Sequence, residues 1–152
     1  MTQRLSFDSV SPDLYKHLAA LEGHIAGKVD HTLYELIKLR ASIINGCAFC
    51  IDMHSTDALK SGETTPRLFG LAAWWETPLY SARESAALAL TDSVTRFGEH
   101  GVPDEVYDRA RAEFDEQEIT YVVAAIGMIN MWNRLAITFQ ITPASAVAAA
   151  RS

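Results

Sequence analysis

The chain has 152 residues, 49% of them hydrophobic and 21% charged, which suits one domain able to bury its own core. A formal charge of −6 argues against nucleic acid and against anionic membrane surfaces, both of which call for a basic patch. No run reaches the roughly 18 uncharged apolar residues of a membrane span, and the opening MTQRLSFDSVSPD lacks the apolar core of a signal peptide. A cytoplasmic protein with neither nucleic acid nor membrane as partner is expected.

Helical signals then follow one another along the chain. Ser11-Pro12-Asp13 supplies an N-cap and a proline at the first helical position, ahead of Leu14, Leu18, Leu21 and Ile25. Asp30 caps a second helix that carries Leu33, Leu36, Ile37, Ile43 and Ile44 and ends near Gly46. A third runs from about Gly46 to Ser61, with Asn45 or Gly46 as its N-cap and Gly62 as its stop. Thr65-Pro66 opens a fourth, bearing Phe69, Leu71, Trp74 and Trp75. Ser81 and Glu84 make a capping box before Ala87, Leu88, Leu90, Thr91, Val94 and Phe97. Val102-Pro103-Asp104-Glu105 begins a short sixth helix through Phe114. Asp115 with Glu118 caps the longest, from Glu116 to about Phe139, whose apolar residues surround most of its girth and place it centrally in the fold or at an interface. Thr142-Pro143 opens a last alanine-rich turn or two. With no alternating strand pattern, repeat or linker, residues 1–152 read as a single all-α domain.

Both cysteines and one of the five histidines fall within NGCAFCIDMH, Asn45 to His54. In a reducing compartment such a pair is redox-active or metal-binding before it is a staple. Cys47, Cys50 and His54 stand at i, i+3 and i+7 and share one helix face. Free N–H groups and the helix dipole favour an anion at the first turn, which lowers a thiol pKa there. His54, one turn beyond Cys50, is placed to donate to that thiolate or exchange a proton with it. Glu35, among Leu33, Leu36 and Ile37, is placed to be drawn into the core, where burial would raise its pKa towards that of a general base. It would approach the dithiol if the second and third helices fold back on one another.

Other readings compete. Two packed thiols need no chemistry. Zinc could take Cys47, Cys50 and His54 with Glu35, His24 or His31, although no second C-x-x-C completes a structural site. Glu35 could be a solvated residue paired with Lys38 or Arg40. Arg40, Ser42 and Asn45 suit organising the helix junction. Trp74, Trp75 and Trp132 suit the core or subunit contacts, and His17, His24, His31 and His100 stand in no motif. A thioredoxin-type enzyme would need a βαβ sheet that is not encoded.

Glu35, Arg40, Ser42, Asn45, Cys47, Cys50 and His54, in E-x4-R-x-S-x2-N-x-C-x2-C-x3-H, resemble the signature of the AhpD-like alkylhydroperoxidases of the carboxymuconolactone decarboxylase superfamily. The likeness continues through SARESAALALTDSVTRFGEHGVPDEVYDRARAEF and through Trp132 to Ala136. The resemblance implies an AhpD-like bundle of about six to eight helices, assembled as a homo-oligomer (dimer, trimer or hexamer). It also implies an antioxidant peroxidase, an oxidoreductase without cofactor or metal, whose redox-active disulfide is opened by a lipoyl-type or thioredoxin-type dithiol. Carried over by position, Cys50 matches the cysteine that attacks the hydroperoxide, Cys47 its resolving partner, and Glu35 and His54 the proton relay. Phe49 departs from the pattern: the best-studied members have a second histidine there. A redox-sensing or structural oligomer with a slow dithiol is the alternative from another class, beside the zinc-binding helical protein. The decarboxylase branch generally lacks the cysteine pair.

Overall fold

Side-chain caps open four of the helices in the computed structural model, which describes residues 2–150. In chain order the helices are α1 Phe7–Val10, α2 Pro12–Ala26, α3 His31–Asn45, α4 Ala48–Lys60, α5 Thr65–Gly70, α6 Ala82–Thr95, α7 Asp104–Glu113, α8 Glu116–Phe139 and α9 Ala144–Ala149, with a 3₁₀ segment Leu71–Glu76 after α5. No strand forms among the described residues, so the all-α expectation holds.

Asp30 caps α3 by accepting the Leu33 N–H at 3.0 Å, and the predicted capping boxes at Ser81–Glu84 and Asp115–Glu118 are both complete. Three expectations change. Cys47 itself, rather than Asn45 or Gly46, is the N-cap of α4. Gly46 is already used: its left-handed φ of 70° ends α3, so the next residue must open the new helix. The fourth predicted helix breaks at Ala73, whose φ/ψ of −140°/48° is not helical, and Trp74 turns inward while Trp75 stays exposed. Phe97, expected on the inner face of α6, lies beyond its end and is exposed. The short α1 carried no cap signal that the sequence reading used.

The hub is α3, which packs against α4, α6 and α8. Every residue from Leu33 to Ser42 is buried, including Glu35, Lys38 and Arg40. Buried charges on such a helix must be paired. Arg40 forks onto Asp92 at 2.6 and 2.9 Å and also donates to Leu71 O at 2.9 Å, while Lys38 pairs with Glu22. Two apolar clusters flank α3, one built on Ile37, Leu90 and Ile126 and one on Leu36, Leu39, Leu71 and Leu88. By length and composition α8 is apolar enough to cross a bilayer. It nonetheless packs along the bundle against α2, α3, α4 and α6, with Ile126, Ile129 and Asn133 fully enclosed and Val123, Met131 and Ile137 facing outward. A third, small cluster joins α8 to the start of α4: Ala41, Cys47, Cys50, Ile129 and Ala136, with Phe49, Trp132 and Ile141 against it.

Candidate active site

The sharp exit at Gly46 turns the chain directly from α3 into α4, and the Cys47 N–H bonds back to Ser42 O at 2.9 Å. The cysteines are free thiols, both buried, with their sulfurs 2.7 Å apart and hydrogen-bonded to each other. As N-cap, Cys47 Sγ also accepts the Cys50 N–H at 3.4 Å. These donors pull the Cys47 thiol down to about 7, the Cys50 S–H contributing most, against burial, which raises it. Cys50 moves the other way and lies far above the ordinary thiol range. Its hydrogen bond to Cys47 raises it most, burial adds to this, and so does the charge that Cys47 carries once ionised. Of the two sulfurs Cys47 is therefore the first to ionise.

The i, i+4, i+8 face of α4 places Cys50, His54 and Ala58 inward. Because α3 and α4 fold back on each other, Glu35 reaches His54, its Oε2 lying 2.9 Å from Nδ1. Both side chains are buried. The expected hydrogen bond from His54 to a thiolate does not form among the described residues: Nδ1 is held by Glu35, and the thiols hydrogen-bond to each other. Phe49, in the place of the second histidine, packs on the sulfur cluster and gives it an apolar wall. A cleft of about 260 Å³, lined in part by His31, Glu35, Glu63 and Arg67, opens onto Glu35, and neither cysteine lines it.

Ser42 and Asn45 do organise the junction, through partners that the sequence reading did not assign. Asn45 Nδ2 donates to Asn130 Oδ1 and to Asn133 Oδ1, each at 2.9 Å. Asn133 Nδ2 donates to Ser42 Oγ at 3.0 Å, and Ser42 donates on to Lys38 O at 2.7 Å. The available signal was two asparagines at i, i+3 in an otherwise apolar helix. Glu22 was missed as well. It accepts from Tyr34 Oη at 2.6 Å, from Trp132 Nε1 at 2.7 Å and from Lys38, whose ammonium lowers Cys50 through space. His17, His24, His31 and His100 are all exposed. Among the described residues no group of three or more histidine, cysteine or acidic side chains is arranged to hold a metal ion.

The carboxymuconolactone decarboxylase family model matches residues 12–93. Over 138 residues the chain is 44% identical to the uncharacterized protein YdfG of Bacillus subtilis (strain 168), spanning 90% of this chain and 94% of that one. A crystal structure from Agrobacterium tumefaciens, of a protein of unknown function with a suggested AhpD antioxidant-defence role, matches with a TM-score of 0.90 and 39% identity over 93% of this chain and 98% of its own. The debrominase Bmp8 has the same fold, with a TM-score of 0.81 and 20% identity over 93% of this chain and 76% of its own.

Proposed function

The chain belongs to the carboxymuconolactone decarboxylase family, on its AhpD-like side, and from that premise we propose that it is a thiol peroxidase reducing hydrogen peroxide or small organic hydroperoxides. One observation carries the reading: two free thiols lie in hydrogen-bond contact at 2.7 Å, Cys47 lowered and Cys50 raised, one helical turn from a buried Glu35–His54 pair. A structural pair of cysteines has no use for such a split in proton affinity. A redox pair needs it, since one sulfur must be ready to ionise.

In the proposed cycle Cys50 passes its proton to the Cys47 thiolate along their hydrogen bond and attacks the terminal oxygen of the hydroperoxide. The S–O bond forms, the O–O bond breaks, and the departing alkoxide or hydroxide takes from the Glu35–His54 pair the proton that Cys47 gave up on ionising. The vacated pair then accepts the Cys47 proton. Cys47 attacks the Cys50 sulfenic acid, and the leaving hydroxide takes that proton as water. The sum is two thiols and one hydroperoxide to one disulfide, one alcohol or water, and one further water. An external dithiol, lipoyl-type or thioredoxin-type, reopens the disulfide by exchange. Burial of both sulfurs beneath Phe49 and Ile141 favours small hydroperoxides over bulky ones.

The reading includes a cytoplasmic homo-oligomer. The outward stripe of Val123, Met131 and Ile137 on α8, together with exposed Trp75, supports burial against a second copy. The deciding experiment follows peroxide consumption with lipoyl-type and thioredoxin-type donors across peroxides of increasing size. Sustained turnover that declines with peroxide size supports the enzyme. A single stoichiometric oxidation means a redox sensor instead.

A further inference from the structure

We propose that Asn133 is a positioning residue of the dithiol, its amide N–H directed at the sulfurs so that it holds the charged form of the pair. This rests on the peroxidase reading for its purpose but not for its geometry. Asn133 is fully buried in the middle of an apolar helix, a costly place for a primary amide unless its polar atoms are bonded. Ile129 and Ala136, one turn to either side on the same face of α8, both pack in the cluster that contains Cys47 and Cys50. Asn133 therefore sits between them over the sulfurs.

The direction of its amide is fixed by a chain of donors. The Ser42 hydroxyl spends its hydrogen on Lys38 O, so towards Asn133 it can only accept. The atom of Asn133 that meets Ser42 must then be the nitrogen, as observed at 3.0 Å. On the other side Asn45 Nδ2 donates at 2.9 Å, so the atom it meets must be the oxygen. A flipped amide would set donor against donor at Asn45 and leave Ser42 without a donor. The NH2 group is thus locked on the side of Ser42, the residue whose carbonyl accepts the Cys47 N–H at 2.9 Å. One of its hydrogens bonds Ser42, and the second is free to serve a sulfur. Consistently, hydrogen bonding from Asn133 lowers both thiols. Asn133 stands on α8 while both cysteines belong to the start of α4, so it offers the same donor to a thiolate on either cysteine.

The test titrates the thiolate of the reduced, full-length protein by its ultraviolet absorbance, with no turnover required. The charged groups on the elements packed about the pair, Lys38 on α3 with its partner Glu22 on α2, and Glu35 with His54, are common to all variants. Asn133→Ala should move the midpoint upward by about one pH unit, the effect of one lost hydrogen bond to a charged group. Asn133→Asp, which keeps the shape and places oxygen where the donor was, should move it further. Asn130→Ala is the control: it breaks the neighbouring Asn45 bond in the same junction and should leave the midpoint in place. An unmoved midpoint in a folded Asn133 variant, or an equal shift in Asn130→Ala, would overturn the proposal. Should Asn133→Ala not fold, Asn133→Asp decides by the same criterion. Failure of the peroxidase reading looks different, because wild-type protein would then consume no peroxide whatever the titration gives.

Discussion

Replacing Cys50 by alanine removes the donor that does most to hold the Cys47 thiol down. That thiol lies at about 7 against an ordinary 9.0, so the environment favours its charged form by roughly 3 kcal/mol. With Cys47 almost wholly enclosed, little of this is screened by solvent. Once the Cys50 S–H is gone, burial acts with less opposition, and the midpoint should rise most of the way back towards the ordinary 9.0. The thiolate fraction at neutral pH then falls from about half to a few per cent, and alkylation by iodoacetamide slows by roughly tenfold or more. Cys50→Ser should fall between, since its hydroxyl still donates. The sign also appears in stability. A depressed acid stabilises the fold above its unfolded value, so the wild type should lose its advantage over Cys50→Ala as the pH falls from about 9 through about 7. A Cys50→Ala midpoint that stays near 7 would refute the reasoning and leave the N-cap position alone as the cause.

Three further outcomes are expected. Glu35→Gln keeps a hydrogen-bond partner for His54 but removes the charge, so peroxidase turnover should fall about 100-fold with little change in melting temperature; unaltered turnover would remove the relay. Arg40→Lys cannot reproduce the fork on Asp92 together with the bond to Leu71 O, and denaturant unfolding should show a loss of about 2–4 kcal/mol. Asp52 accepts the Ser145 N–H at 3.1 Å and so latches α9 onto α4, four residues after Ile141, which packs against the cluster holding the sulfurs. Asp52→Ala should speed alkylation of the dithiol several-fold, and in the wild type the same release should come only as the pH falls through the value that the Ser145 bonds hold below the usual carboxylate range; equal rates would show that the C-terminal segment does not gate the pair.

The legible parts of this molecule were those that short-range chemistry decides. Asp30, Ser81 and Asp115 each cap with a donor three residues on, and a reader of the sequence can count that far. The shared face of Cys47, Cys50 and His54 is likewise a matter of helical period. The approach of Glu35 to His54 depended on the pairing of α3 with α4, which the immediate turn at Gly46 enforces. What stayed hidden was long in range or stereochemical. Asn133 meets Ser42 across 91 residues, and Trp132 meets Glu22 across 110, so neither spacing carries a local period. The choice of Cys47 as N-cap turned on Gly46 taking the left-handed exit, a backbone decision that the string of letters leaves open between three neighbours. Trp74 and Trp75 parted company because Ala73 leaves the helix, and nothing in the residue type of Ala73 announces it.

Intact-mass spectrometry after one equivalent of hydrogen peroxide tests the central claim most directly. The wild type should lose two hydrogens as Cys47 and Cys50 join. Cys47→Ser should gain one oxygen, or its trapped adduct, and take up more under excess peroxide because no neighbour resolves the sulfenic acid. Cys50→Ser should show no addition. Exchange of the two variant patterns would reverse the roles of the sulfurs and keep the dithiol cycle. If neither the wild type nor either variant changes mass, the protein is not a thiol peroxidase.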